Sequence, residues 1–125
     1  MVLKNNPKKI SKTQIGNLGE NKAVKYLTQK GFKIVDQHFY YQHGEIDIIA
    51  KDKTELVFVE VKFRTQDKFG APEESVTPKK QELLRRTAEG YLYKNNLNDI
   101  SCRFDVISIL SKNKKTTFQH FINAF

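Results

Sequence analysis

An α+β domain, ordered helix, strands, helix, strands, is what three observations on this 125-residue chain predict. Apolar residues recur at helical spacing in two stretches, through Leu18, Ala23, Val24 and Leu27 and again through Leu84, Ala88 and Tyr91. β-Branched and aromatic residues gather in the segments that follow each stretch, 32–63 and 102–125. The length suits one hydrophobic core, and no repeat or heptad run points elsewhere.

Taken in order, residues 1–12 carry Lys4, Lys8, Lys9 and Lys12 with no acid, which predicts a flexible basic arm able to touch phosphates or simply to sit in solvent. The folded domain is expected over 13–125. A first helix runs from about Thr13 to Lys30, with Gly31 as its stop. Glu20 stands three, four and seven residues before Ala23, Val24 and Leu27, so it lies on the face that seeks the core and calls for a cationic or metal partner there, unless it reaches water at the edge of the stripe.

Residues 32–41 read as a strand, interrupted at Gly44. Ile46 to Ala50 and Leu56 to Phe63 read as an antiparallel hairpin around the polar Lys51 to Glu55 segment. With Lys51 opposite Leu56, Asp47 falls opposite Glu60; a two-residue loop at Asp52–Lys53 instead sets Asp47 opposite Phe58. The polar 65–77 segment reads as a loop, a candidate flap over substrate. Thr77–Pro78 opens the second helix, which runs to about Tyr93 and ends at Asn95 and Asn96. Extending its rows back one turn reaches Lys80 and Gln81, which then face either the site or solvent. Cys102 to Leu110 and Thr117 to Phe125 read as strands joined by a basic loop over 112–115.

The 22 Lys and Arg against 14 Asp and Glu, a net charge of +8, favour a polyanionic partner. Nucleic acid leads, over an anionic membrane surface or solubility alone. The single Cys102 excludes an internal disulfide, and no run reaches the roughly 18 apolar residues of a membrane span. A cytoplasmic protein that does not enter membranes is expected.

The chemistry gathers on the hairpin. On a strand, alternate side chains share a face, so Glu60 and Lys62 point one way and Val59 and Val61 the other. Asp47 joins them from the neighbouring strand in either register. Two carboxylates suffice to hold Mg²⁺, which keeps several waters and binds substrate phosphate. Glu20 and the Val61 carbonyl can complete the ligand set, and Lys62 can steady the attacking water or the developing charge. The bland alternative is an amphipathic hairpin whose Glu60, Lys62 and Arg64 form a solvated face. Zinc fits poorly, because Cys102 is alone and His38, His43 and His120 lack a ligand spacing; His43, beside Gly44, reads as a surface residue. Arg103 and Asp105 share a strand face as a local ion pair, either supporting the site or structural elsewhere.

Gly16 to Glu20, Gly44 to Ala50, Val59 to Arg64, Arg103 to Ile107 and the terminal Asn123-Ala124-Phe125 together resemble the bacterial YraN family, over roughly residues 13–125. Through it the chain resembles the restriction-endonuclease-like superfamily, with its acid, then acid-x-Lys pattern. That resemblance implies an αβββαβ core with a mixed central sheet flanked by helices. It also implies a metal-dependent endonuclease using Mg²⁺ or Mn²⁺, with Asp47, Glu60, Lys62 and Glu20 as catalytic residues. Asp47, Glu60 and Glu20, with the Val61 carbonyl read from the strand itself, are expected to hold the metal, and Lys80, Gln81 and Arg64 are expected to contact nucleic acid, Gln81 matching a polar residue that some members project from this helix. Ile46 stands where the superfamily often has Pro. DNA, branched or damaged, is the expected substrate, and pairing into a homodimer is left open. Two other functions stay open, a nucleic-acid-binding module that does not cleave and a basic module that docks a protein.

Overall fold

The computed structural model describes residues 12–65 and 76–125. The expected arm over 1–12 falls outside this region except for Lys12, as does nearly all of the expected flap. Helix α1 spans Lys12–Gln29, followed by strands β1 (Lys33–Tyr41), β2 (Gly44–Asp52) and β3 (Glu55–Arg64). Helix α2 spans Pro78–Lys94 and leads to β4 (Cys102–Lys112) and β5 (Lys115–Phe121). The strands form one sheet in the order β1-β2-β3-β4-β5, antiparallel except for the β3–β4 pair, which is parallel. α2 makes the crossover that a parallel pair requires. This α+β architecture, a mixed sheet with a helix on each side, is consistent with a restriction-endonuclease-like core.

Local chemistry explains the boundaries. Gly31 adopts φ +95°, and the Phe32 amide reaches back to the Leu27 carbonyl at 3.0 Å, closing α1. The Thr77 hydroxyl accepts the Lys80 amide at 3.2 Å as N-cap of α2, with Pro78 in the first turn. Lys53 and Thr54 form the β2–β3 turn, so Lys51 pairs with Leu56, the first of the two registers considered. Asn113 and Lys114, both at positive φ, turn β4 into β5. The last strand stops at Phe121 instead of running to Phe125. Asn123, at φ 54°, turns the chain back, its amide donates to Asp105 Oδ1 at 3.0 Å, and Phe125 stacks on Phe104.

Each sheet face carries its own core. Ala23, Leu27, Phe32, Ile48, Ala50, Val57, Val59, Ile107 and Ile109 pack on the α1 side. Ile46, Ile49, Leu56, Phe58, Val76, Leu84, Ala88, Tyr91 and Val106 pack on the α2 side. Ile46 and Ile48 are two residues apart and should share a face, yet they lie in opposite cores. β2 therefore turns over at Asp47. Its neighbour departs from regular strand geometry at the same level: His38, between the pairs Gln37–Ile48 and Phe39–Ile46, has φ 53°.

Candidate metal and phosphate site

The regular β2–β3 pairing ends at Ile48–Val59, immediately before the acids. Beyond it the Val61 amide donates to Asp47 Oδ2 at 2.8 Å, so a side chain takes the bond that a strand carbonyl would otherwise accept. The Asp47 carboxyl is thereby fixed against β3 beside Glu60. Burial, and then the Glu60 charge, push Asp47 up to about 7, while the Val61 hydrogen bond pulls the other way. Glu20 and Glu45 add to the same repulsion.

Glu60 is 7% exposed and meets two ammonium groups, Lys62 Nζ at 3.1 Å and Lys80 Nζ at 3.7 Å, both at Oε2. Lys80 is thus turned to the site from the first turn of α2, one of the two facings, site or solvent, that the helical rows left open. Gln81 is half-buried and gives its side-chain amide to the Val76 carbonyl at 3.1 Å. Arg64 is half-buried near the end of β3, opposite Leu110.

Glu20 does lie on the core side of α1, with its side chain 13% exposed. Its nearest cationic group is His38, which the sequence reading had set aside. His38 Nε2 stands 2.8 Å from Glu20 Oε2, but not aligned as a hydrogen bond, and that buried oxygen accepts none. The other ring nitrogen, Nδ1–H, donates to Glu45 Oε2 at 3.1 Å. Burial raises the Glu20 carboxyl, with His38 opposing and Glu45 and Glu60 reinforcing. The hydrogen bond to Glu45 raises His38, assisted by the Glu20 and Asp47 charges and opposed by burial. His38 and Glu45 belong to the site but escaped sequence reasoning, because the positive φ that aims His38 leaves no mark in composition or periodicity.

The donor chemistry suits a hard divalent cation. Asp47 is half-buried against like charges, and Glu20 Oε2 is a buried oxygen without a hydrogen bond; added positive charge would relieve both. Among the described residues no three His, Cys, Asp or Glu side chains form a ready cluster. An ion held here would take one or two protein carboxylates and fill its other positions with water and phosphate, as Mg²⁺ commonly does.

Next to the site, Thr77, Lys79, Lys80, Glu82, Leu83 and Arg86 line a groove of about 370 Å³ along α2. Arg86 is paired with Glu82 at 2.9 Å on the surface, which leaves the groove a net positive wall. His43 is exposed, as expected.

Arg103 and Asp105 form the expected pair, but on the α1 side of the sheet, away from Glu60. Asp105 is fully buried and accepts from Arg103 Nε and Nη2 at 3.0 and 3.2 Å, from His120 Nε2 at 2.7 Å and from the Asn123 amide. Arg103 Nη1 also reaches Asp52 at 3.0 Å and Glu55 at 2.9 Å, clamping the turn of the β2–β3 hairpin to β4. This pair braces the hairpin that carries the acids. No helix among the described residues is long and apolar enough to cross a membrane.

The family described as uncharacterised protein family UPF0102 matches residues 19–109. The chain is 47% identical over 110 residues to a UPF0102 protein of Clostridioides difficile, covering 88% of this chain and 95% of that one. It is 40% identical over 121 residues to one of Caldanaerobacter subterraneus subsp. tengcongensis, covering 94% and 99%. It is 45% identical over 114 residues to one of Alkaliphilus oremlandii, covering 90% and 97%. The likeness extends over nearly the whole chain, and the family match spans the stretch that carries the candidate site, so this protein belongs to the UPF0102 family, in keeping with the YraN-like motifs of its sequence.

Proposed function

We propose that this protein is a metal-dependent phosphodiesterase acting on DNA. The observation that carries the reading is the crowding of the half-buried Asp47 and the buried Glu60 carboxylates where β2 and β3 part, with Lys62 3.1 Å from Glu60. Two anions held together at an opening in a sheet are costly unless a cation joins them. Asp47 and Glu60 would hold Mg²⁺ or Mn²⁺, with Glu20 and the Val61 carbonyl able to complete the ligand set, and the ion when bound would lower the pKa of water and take up charge on a phosphoryl oxygen.

The chain's own groups supply the rest. Asp47 is oriented by the Val61 amide and Glu60 by Lys62 and Lys80, so neither carboxylate must reorganise for substrate. Lys62 can turn from Glu60 to hydrogen-bond the attacking water or the phosphoryl oxygen. Lys80 and the cationic groove on α2 provide phosphate contacts for the strand beside the scissile bond.

The test is cleavage of linear, flapped and four-way DNA with Mg²⁺ or Mn²⁺ by wild type, Asp47→Ala and Lys62→Ala. Loss in both variants supports the reading, and unchanged cleavage in both removes this site from it. One contact favours a second reading, a DNA-binding module that does not cleave. Glu60 already has two lysine partners and could be neutralised without a metal. Salt-sensitive DNA binding with no cleavage in any divalent metal would select that alternative.

A further inference from the structure

Glu20 and His38 approach each other closely without an aligned hydrogen bond. Nε2 and Oε2 are 2.8 Å apart, yet Oε2 accepts no hydrogen bond. Two donors on a metal about 2.1 Å away, in neighbouring octahedral positions, stand about 3 Å apart. The ring is also oriented as metal-bound imidazoles are, because its far nitrogen, Nδ1–H, donates to the Glu45 carboxylate at 3.1 Å. That bond leaves Nε2 as the nitrogen able to offer a lone pair.

The backbone supports the same arrangement. His38 takes φ 53° inside β1, a conformation that costs energy in a residue other than glycine. It does so at the level where β2 turns over at Asp47, and Asp47 is among the charges acting on the ring. Three elements, α1, β1 and β2, thus bring Glu20, His38 and Glu45 together beside the proposed catalytic acids.

We propose that His38 Nε2 and Glu20 Oε2 are neighbouring ligands of a divalent ion next to Asp47, with Glu45 as the carboxylate that orients the imidazole. A mixed nitrogen and oxygen donor pair favours Mn²⁺ over Mg²⁺, which prefers oxygen alone. Water and substrate phosphate would fill the remaining positions. The inference rests on the metal-dependent reading of the site and adds a nitrogen ligand and a choice of ion to it.

Mn²⁺ alone is the probe, read by calorimetry and by electron spin-echo modulation from directly bound ¹⁴N, on wild type, His38→Gln, Glu45→Gln and Asp47→Asn. Wild type is expected to bind Mn²⁺ with imidazole modulation. His38→Gln should lose the modulation, and Glu45→Gln should weaken binding roughly ten- to a hundredfold while keeping it. Mn²⁺ bound without nitrogen modulation, but lost in Asp47→Asn, would overturn the His38 ligand and leave the carboxylate site standing. Modulation that persists with undiminished affinity in Asp47→Asn would support His38 and count against the catalytic pair. No Mn²⁺ binding to wild type would overturn both. Modulation that survives in His38→Gln would assign the nitrogen to His43 or His120 and overturn the proposal, and a wild-type spectrum without nitrogen modulation overturns it whether or not the variants fold.

Discussion

The Asp47 side chain occupies a backbone role: its Oδ2 accepts the Val61 amide at 2.8 Å where the β2–β3 ladder has ended. One carboxylate therefore satisfies the strand that carries Glu60 and Lys62 and also faces the Glu60 charge. The two roles pull in opposite directions, and burial tips the balance against the ion, pushing Asp47 up to about 7.

This has a consequence for stability against pH. In the unfolded chain Asp47 titrates near its ordinary 3.8, so between there and about 7 the folded protein holds a proton that the unfolded chain releases. The contribution of a raised carboxyl is complete below the lower value and is lost as pH rises through the upper one. Wild type in chelator should therefore lose stability from pH 4 to 7. Asp47→Asn, whose amide oxygen can still accept from Val61, should show a shallower slope, the remainder coming from the raised Glu20 and His38, and melt several degrees higher at pH 8, given about 1.4 kcal/mol per pKa unit. Equal melting temperatures at pH 8 would show that Asp47 does not carry this charge strain.

Glu60 has two cationic partners at one oxygen, which predicts non-additive mutants. Replacing either Lys62 or Lys80 by Met leaves the buried carboxylate one ammonium and should cost about 1 kcal/mol. Replacing both strands the charge, and the double variant should lose roughly 3–5 kcal/mol, more than the two singles together. Urea denaturation in chelator measures all three, and simple additivity would mean that the lysines do not share Glu60.

Much of this was legible before any coordinates. Glu20 on the apolar side of its helix and the helix-capping Thr77–Pro78 follow from a period of 3.6 and from turn chemistry, whereas the β2–β3 register was one of two that the turn allowed and Lys80 could face either the site or solvent. What stayed hidden depends on departures from the helix and strand periods. A strand turning over at Asp47, a positive φ at His38 and a chain reversing at Asn123 are local exceptions that tertiary contacts impose, and period-based reading extrapolates straight through them. The direction of Arg103–Asp105 was hidden for another reason. Strand alternation says that the two share a face but not which helix covers it.

Arg103 ties Asp52 and Glu55 at the hairpin turn to the fully buried Asp105 on β4. Burial alone would raise Asp105, but hydrogen bonds from His120, Arg103 and the Asn123 amide hold it below its ordinary value. Arg103→Met should therefore leave an under-compensated buried carboxylate and cost about 3–5 kcal/mol. Arg103→Lys, lacking the planar fork, should rescue little of it. A melting temperature within a degree or two of wild type in Arg103→Met would show that the clamp contributes little.

The α2 groove predicts how DNA affinity responds to salt. If Lys79, Lys80 and Arg86 lie against phosphates, each Ala substitution should flatten the dependence of log K on log salt by about 0.9 for duplex or about 0.7 for a single strand. Lys114 on the β4–β5 turn is a basic control outside the groove and should leave the slope alone. Fluorescence anisotropy across a salt series gives the slopes, and equal slopes for all four variants would move the binding face elsewhere.

Gly44 opens the strand that carries Asp47 and touches α2 so closely that an added Cβ would collide with the Thr87 hydroxyl. Thr87 is 1% exposed, and its hydroxyl donates to the Leu83 carbonyl at 2.8 Å, so it has little room to give way. The contact presses β2 against the helix that delivers Lys80, which links glycine size to the geometry of the site. Gly44→Ala should destabilise the fold by about 1–3 kcal/mol through overpacking. Thr87→Ala removes the colliding oxygen and one local hydrogen bond already made within the helix, so by itself it should cost about 1 kcal/mol. Combined, the two should recover most of the Gly44→Ala loss, because the new methyl fills the space that the hydroxyl vacates. Urea midpoints of the four proteins decide it: a double variant no more stable than the sum of the singles would mean that the Thr87 hydroxyl is not what the glycine makes room for.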